Sequence, residues 1–198
     1  DKLQEINSLS ERMARMTVIT GRRRIGKTSL VLKAYENDVL LYFFVSRKTE
    51  AELCRDFADE ITQKLHLPIL GTPTRFADIF TYLMQLAKTR HFILMIDEFQ
   101  EFRRVNNSIF SDMQKIWDLN KSEAKINLIL CGSIYHLMTE LFIDSKEPLY
   151  GRQTDFIKVE PFMPSVLKEI IADHNTDYTN DDLLALYVTT GGVAKYVE

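Results

Sequence analysis

A glycine-bounded stretch near the beginning of the chain has the residue types and spacing that bind phosphate. Residues 21–28, GRRRIGKT, fit the pattern G-x-x-x-x-G-K-[ST] at every fixed position. Glycines allow backbone N–H groups to turn inward around an anion, and a helix that begins there adds the positive end of its dipole. The stretch therefore predicts a nucleotide-binding loop.

The fixed positions of this loop predict what its side chains contact. Lys27 would reach the β- and γ-phosphates and so act in catalysis as well as in binding, and the Thr28 hydroxyl would bind Mg²⁺. The predicted nucleotide contacts of the loop are Gly21, Arg22, Arg23, Arg24, Ile25, Gly26, Lys27, Thr28 and Ser29.

The three consecutive arginines, Arg22, Arg23 and Arg24, occupy variable positions of the loop. Side chains at such positions often point to solvent, so a solvated surface is one interpretation. Contact with phosphate, with a partner subunit or with DNA is the other. The sequence leaves both open.

An apolar run that ends in two acids supplies the second part of the predicted site. In FILMIDEFQ, residues 92–100, Asp97 closes the run and Glu98 follows it. Asp97 would hold Mg²⁺ through water, and Glu98 would orient and deprotonate an attacking water. Such a pair can also be purely structural, but its combination with the phosphate loop favours hydrolysis.

These motifs need strands to position them, and five short apolar runs rich in β-branched or aromatic residues predict those strands. They are residues 17–20, 39–45, 91–97, 126–132 and 155–159. Most runs are continuous rather than alternating, as expected for parallel strands buried on both faces. Amphipathic stretches predict intervening helices at residues 27–36, 50–65, 74–90, 107–120 and 134–142.

This alternation predicts an α/β fold, a doubly wound, mainly parallel five-stranded sheet of the phosphate-loop NTPase type, with a C-terminal helical lid. We expect the core to span residues 1–160 and the lid to begin at residue 161. The lid would contain one helix from Pro164 and another capped by Asn180. Two prolines and a glycine in residues 66–74 predict a surface loop.

The predicted strand 39–45 lies between the two motifs in the sequence. We interpret it as the extra strand that separates the two motif-bearing strands in one class of phosphate-loop ATPases. GTP specificity normally needs an Asn-Lys-x-Asp element after a strand, whereas NKSE at residues 120–123 ends in glutamate and precedes a strand. The predicted cofactors are therefore ATP or ADP with Mg²⁺.

With GRRRIGKTSL, IDEFQ, CGS, PLYGR and TGGVAKY in this order, the chain resembles the archaeal-type ATPase family. That family belongs to the STAND branch of AAA+-related ATPases, and the resemblance covers nearly the whole chain. It implies an ATPase whose hydrolysis drives a conformational switch, with a homo-oligomer left open. It also implies a DNA or protein partner bound through a region that follows the lid.

The same resemblance implies roles for three further residues. Ser133 would take the sensor 1 position beside the γ-phosphate, although it could equally cap the following helix. Arg152 would be an arginine finger for a neighbouring subunit's ATP, with a plain surface arginine as the alternative. Gly192 would bring the lid to the nucleotide, although a glycine pair also ends helices and Ala194 replaces the family's usual proline.

The composition limits the remaining classes of function. The chain has 25 basic and 28 acidic residues, a net charge of −3 that does not indicate a constitutive nucleic-acid coat. Cys54 and Cys131 lie far apart, which argues against a disulfide or zinc framework. No apolar run approaches the roughly 18 residues that span a bilayer. We therefore expect a cytoplasmic protein without a membrane partner.

Both ends of the sequence lie within helical patterns. The first contains Leu3, Ile6, Leu9, Met13 and Met16, and the last is TTGGVAKYVE. We expect a fragment of a longer protein, in which an adenine-binding segment precedes the first residue and a target-binding region follows the lid.

Two other functions compete with hydrolysis. One is a nucleotide-bound switch without turnover that serves as a scaffold for DNA or protein partners. The other, a small-molecule kinase, is weaker because the acidic pair suits the activation of water better than that of a substrate hydroxyl.

Overall fold

Five parallel strands form one sheet in the computed structural model, which describes residues 2–67, 71–174 and 177–197. The strands lie in the order β2-β3-β4-β1-β5, and each neighbouring pair is parallel. The predicted fold class is confirmed, and each predicted strand end lies within about two residues of the observed one. The strands are β1 (Arg15–Thr20), β2 (Leu40–Phe44), β3 (Phe92–Asp97), β4 (Ile126–Gly132) and β5 (Asp155–Lys158).

Helices connect the strands. They are α1 (Lys2–Ser10), α2 (Lys27–Ala34), α3 (Glu50–Leu65), α4 (Phe76–Leu86), α5 (Phe102–Val105), α6 (Ser108–Asn120), α7 (Tyr135–Ile143), α8 (Pro164–His174), α9 (Asn180–Thr190) and α10 (Ala194–Val197). The short α5, preceded by one 3₁₀ turn at Phe99–Glu101, was not predicted. The helix predicted at 74–90 is shorter at both ends.

The continuous apolar strands are explained by burial on two sides. Every residue of β3 and β4 is buried. Along β3, Leu94 and Ile96 belong to one apolar cluster, whereas Ile93 and Met95 belong to a second. Alternate side chains of a strand point to opposite faces, so a strand between two layers must be apolar throughout.

The sheet order corrects one interpretation from the sequence. The strand that separates the motif-bearing strands β1 and β3 is β4, not the predicted strand 39–45, which forms β2 at the edge of the sheet. The inferred class of sheet is therefore right, but the strand assigned to it is wrong. Sequence order does not reveal spatial order when crossovers connect parallel strands.

The amino-terminal helix ends earlier than its apolar pattern suggested. It stops at Ser10, and Met16 lies in β1 instead. Hydrogen bonds fasten α1 to the sheet: the Tyr35 hydroxyl donates to the Leu3 carbonyl over 2.7 Å, and Asn127 Nδ2 donates to the Tyr35 hydroxyl over 3.2 Å.

Helices α8, α9 and α10 follow the sheet, and α9 contacts both others. As predicted, α8 begins at Pro164, but Thr179 rather than Asn180 caps α9. Thr179 and Asp182 form a reciprocal capping box, in which each side chain accepts the other residue's backbone N–H.

Two further predictions concern loops and membranes. Residues 68–70 of the predicted loop 66–74 lie outside the described residues, and residues 71–74 form neither helix nor strand.

Within the described ranges, no helix combines the length and apolar character needed to cross a membrane.

Candidate nucleotide site

The predicted phosphate loop lies between β1 and α2, where the sequence placed it. β1 ends at Thr20, and α2 begins at Lys27 with Gly26 as its N-cap. Gly26 has a φ of 95°, a left-handed conformation that a residue with a Cβ rarely adopts. The glycine therefore allows the loop to turn into the helix.

Lys27 is held inside its own loop. Its Nζ donates to the carbonyl of Gly21 over 2.9 Å and to that of Arg22 over 3.1 Å. Burial lowers the pKa of Lys27, while the nearby charges of Glu98 and Asp97 act to raise it. Among the described residues, the hydrogen-bond partners of this ammonium are neutral backbone carbonyls, which it can exchange for an anion.

Asp97 joins three elements at the carboxyl end of β3. Its Oδ2 accepts hydrogen bonds from the Thr28 hydroxyl over 2.7 Å and from the Tyr42 hydroxyl over 3.1 Å. Its Oδ1 accepts from the backbone N–H of Glu98 over 2.9 Å. Burial, followed by the charge of Asp97, raises the pKa of Tyr42 well above its usual value.

The oxygen atoms of Thr28 and Asp97 fit Mg²⁺. This ion prefers oxygen ligands and is usually held by one or two protein groups together with phosphates and water. The two predicted ligands already lie within hydrogen-bond distance of each other. No group of three or more His, Cys, Asp or Glu side chains among the described residues forms a separate metal site.

Glu98 lies beside this pair in a left-handed conformation, with a φ of 53°. Its Oε2 accepts from the Ser133 hydroxyl over 2.7 Å and from Gln100 Nε2 over 2.5 Å. Ser133 does not cap α7, whose first turn has no side-chain cap. Both donors bond the same oxygen, so neither of them occupies Oε1 of Glu98.

The three arginines of the loop are all exposed. Arg24 also contacts α10: its Nη1 donates to the Tyr196 hydroxyl over 3.2 Å, and its carbonyl accepts from the Lys195 N–H over 3.3 Å. The phosphate loop is thus bonded directly to the last helix.

These groups surround one cleft of about 240 Å³. Both predicted metal ligands and Glu98 line it, together with two residues of α10. The lining residues are Arg23, Arg24, Gly26, Lys27, Thr28, Ser29, Asp97, Glu98, Ala194 and Lys195.

Arg152 lies away from this cleft. It precedes β5, and the parallel pairing of β5 with β1 places it at the amino end of the sheet, opposite the phosphate loop. Its Nε and Nη2 donate to Asp118 Oδ2 over 3.0 and 2.8 Å. Burial acts to raise the pKa of Asp118, but the hydrogen bonds from Arg152 and Lys121 outweigh it and lower that pKa.

Gly192 supports the C-terminal helices rather than the wall of the cleft. Its carbonyl accepts from the N–H of Phe162 over 2.8 Å. A Cβ at this position would lie 2.3 Å from the Phe162 carbonyl oxygen, and the φ of 68° is left-handed. Only glycine allows the two backbones to approach this closely.

Gly192→Ala should destabilise the protein more than Gly191→Ala does. Gly191 has a similar φ of 58°, but a Cβ there would meet nothing within 4 Å, so it is the matched control for backbone strain alone. The collision at residue 192 should add about 1–3 kcal/mol to the loss in free energy of unfolding. Urea unfolding measures both variants, and equal losses would contradict the close approach.

Two contacts of the site were not predicted from the sequence. Tyr42 lies within an apolar strand, where a tyrosine is an ordinary core residue, so nothing marked it. Gln100 lies three residues after Asp97, yet its side chain is buried against Glu98 and its Oε1 has no partner among the described residues. Its place in the IDEFQ motif was the available signal.

Comparison with known proteins identifies the family and the fold of the chain. Residues 1–198 match the model of an ATPase domain found predominantly in Archaea. An uncharacterized protein of Methanocaldococcus jannaschii is 28% identical over 202 residues, which cover 100% of this chain and 43% of that relative. The chain thus spans less than half of the relative's length.

Two solved structures show the same fold. The Walker-type ATPase of Pyrococcus abyssi superposes with a TM-score of 0.71 at 21% identity, over 100% of this chain and 65% of that one. The Aeropyrum pernix ORC1 protein in complex with DNA superposes with a TM-score of 0.61 at 14% identity, over 99% of this chain and 57% of that one.

Proposed function

The chain belongs to the family of ATPase domains found predominantly in Archaea, and we propose that it hydrolyses Mg-ATP to drive a conformational switch. As a member of this family it is a nucleotide-binding ATPase module. The proposal adds the roles of individual residues, the binding of Mg²⁺, the hydrolysis of ATP and the conformational change that hydrolysis drives.

For binding, the backbone N–H groups of residues 21–29 would surround the phosphates, and Lys27 would exchange its bonds to the Gly21 and Arg22 carbonyls for phosphate oxygens. Thr28 and Asp97 would hold Mg²⁺. The ion, when bound, neutralises charge on the phosphate oxygens.

For hydrolysis, Glu98 is the proposed general base. Its Oε1, which neither Ser133 nor Gln100 bonds, would accept a proton from a water molecule as the water oxygen forms a bond to the γ-phosphorus. The bond from that phosphorus to the bridging oxygen breaks, giving ADP and phosphate. Ser133 and Gln100 would keep the carboxylate oriented through Oε2.

The conformational switch would act between residues 1–160 and the lid, residues 161–198. Support comes from the bonds of Arg24 to Tyr196 and Lys195, which join the loop that would bind phosphate to α10. A loop that changes its contacts when phosphate binds or leaves would thereby change the position of α10.

The observation that carries the proposal is the position of Glu98, beside Lys27 and Asp97 and with one carboxylate oxygen unoccupied by its two neighbours. The experiment is steady-state ATP turnover by the full-length protein, with and without duplex DNA. Turnover in either condition supports hydrolysis, and nucleotide binding with no turnover in both would contradict it.

A switch that holds nucleotide without turnover is the alternative. The two donors on Glu98 Oε2 favour it, because they hold the carboxylate on Ser133 and Gln100 rather than on a water molecule. The exposed Arg22 and Arg23 and the DNA complex of the Aeropyrum pernix protein make DNA a proposed partner of such a scaffold. DNA affinity that depends on bound nucleotide but not on Glu98 would support it.

We keep Arg152 as a proposed arginine finger for the ATP of a neighbouring subunit. Arg152→Ala should lower turnover by about 10³-fold or more and leave ATP affinity intact, because a finger acts in the transition state. Mixing this variant with Glu98→Gln protein should restore some turnover, since one interface then pairs an intact base with an intact finger.

Asp118→Asn is the control that separates this role from a structural one. It removes the charge of the Arg152 partner but keeps the guanidinium. If both variants lower the melting temperature and turnover equally, Arg152 stabilises α6 and is not a finger. A loss of ATP affinity in monomeric Arg152→Ala would indicate action within its own subunit.

A further inference from the structure

We propose that Tyr42 is a positioning residue for the metal site, which it serves by holding the Asp97 carboxylate in the orientation that Mg²⁺ requires. The inference rests on the proposed Mg-nucleotide site and assigns a role to a residue of β2, a strand that contains no part of either sequence motif. It concerns Mg²⁺ affinity rather than the hydrolytic step.

The place of Tyr42 in the sheet explains how it reaches the site. β2 pairs with β3 so that Tyr42 is opposite Met95 and Phe44 is opposite Asp97. The side chain therefore extends about two residues along the sheet to its carboxyl end, where its hydroxyl lies 3.1 Å from Asp97 Oδ2. The phenol side chain is long enough to span this offset, and it ends in an O–H donor.

The backbone beneath this side chain is also fixed. The N–H of Tyr42 donates to Glu60 Oε1 of α3 over 3.1 Å, in addition to the pairing of β2 with β3. The phenol is half-buried and packs against the apolar cluster that contains Met95. A donor carried on a sheet strand and packed on one face is preorganised, so little conformational entropy is lost when it holds the carboxylate.

Among the three donors to Asp97, Tyr42 has a distinct part. The N–H of Glu98 fixes Oδ1 and comes from the adjacent residue of the chain. The Thr28 hydroxyl bonds Oδ2, but its oxygen is itself a proposed metal ligand and must serve both partners. The Tyr42 hydroxyl donates to Oδ2 and is not a proposed metal ligand, so it is the donor that would keep Oδ2 in place while Thr28 engages the ion.

Outer hydrogen bonds of this kind tune metal affinity. They orient the ligand group, and their removal typically lowers metal affinity by about 10- to 100-fold. They do not contact the nucleotide, so binding without metal should not depend on them. This difference distinguishes a positioning role from a general effect on the fold.

The test is Tyr42→Phe in the full-length protein, which removes one oxygen atom and keeps the ring. Calorimetric titration with ADP is repeated over a series of Mg²⁺ concentrations and in EDTA. We expect the Mg²⁺ concentration at half-maximal enhancement of ADP affinity to rise about tenfold or more. ADP affinity in EDTA should change less than about twofold.

Tyr35→Phe is the matched control. It also deletes one tyrosine hydroxyl on the same side of the sheet, but that hydroxyl bonds the Leu3 carbonyl and Asn127 rather than the site. It should lower the melting temperature and leave the Mg²⁺ midpoint unchanged. A shift of the midpoint in Tyr42→Phe alone would support the inference.

The outcomes separate this inference from the proposed function. If wild-type protein bound no nucleotide, or bound it without any effect of Mg²⁺, the proposed site itself would be wrong. If wild-type binding depended on Mg²⁺ and Tyr42→Phe had the same midpoint, only the role of Tyr42 would be overturned. Equal losses of ADP affinity with and without Mg²⁺ would also overturn it, because they indicate a structural effect.

Discussion

Lys27→Ala is expected to reduce ADP and ATP affinity by roughly a hundredfold to a thousandfold, or about 3–4 kcal/mol. The ammonium is buried inside the phosphate loop, where its present partners are two carbonyls of that loop. Removing it leaves the phosphates without the charge that compensates their desolvation. Calorimetric titration with ADP and Mg²⁺ measures the loss.

Lys33→Ala is the matched control for this experiment. It removes the same charge from the same helix, but Lys33 is exposed and forms an ion pair with Glu36 over 2.7 Å. Exposed pairs contribute about 0–1 kcal/mol, so neither ADP affinity nor stability should change much. Equal ADP affinity in wild type and Lys27→Ala would show that the cleft is not the nucleotide site.

The strands were predictable from the sequence because their burial imposes a simple pattern. β4 is buried at all its residues, and its predicted and observed bounds agree at both ends. The order of the strands was not predictable in the same way. The order depends on which position in the sheet each crossover connection reaches. The residue types of β2 do not distinguish an edge strand from a central one.

The two motifs predicted the centre of the site because their chemistry is local. Lys27 and Thr28 lie at the start of α2, and Asp97 lies at the end of β3. The structure brings all three to one cleft. Tyr42 bonds Asp97 and Gln100 bonds Glu98 because of the directions in which their side chains point. The spacing of residues in the sequence does not determine those directions.

Arg152 shows the limit of a motif that acts between subunits. Within one chain Arg152 bonds Asp118, at the end of the sheet away from the cleft. The residues around Arg152 in the sequence do not show where it would lie against a second copy of the chain. Gly192 is a similar case, because its motif predicted a contact with the nucleotide, whereas in the structure Gly192 contacts the backbone of Phe162. Both roles therefore stay predictions that depend on assembly and on nucleotide.

The hydrogen bonds between the phosphate loop and α10 bear on the proposed role of Glu98 as general base. Arg24 joins the phosphate loop to Tyr196, and Lys195 of the same helix lines the cleft with Glu98. Loss of the γ-phosphate would therefore change charge at a point where the loop, the acidic pair and α10 meet. If that event drives the switch, blocking proton transfer should hold the protein in its ATP-bound arrangement.

Glu98→Gln is the variant that blocks this transfer. The amide keeps the size of the side chain and can still accept the bonds from Ser133 and Gln100, but it cannot take a proton from water. Turnover should fall by about 10²- to 10⁴-fold, while ATP affinity remains close to that of wild type. Phosphate release in steady state and calorimetric titration with ATP measure the two quantities.

Glu101→Gln is the matched control, because it makes the same change three residues away, where the Glu101 side chain accepts a hydrogen bond from Arg104. It should retain wild-type turnover. Limited proteolysis near α10 should differ between ATP and ADP in wild type, whereas Glu98→Gln should keep the ATP pattern throughout. Unchanged turnover in Glu98→Gln would remove this residue from the role of base, and the nucleotide would then be held rather than hydrolysed by this carboxylate.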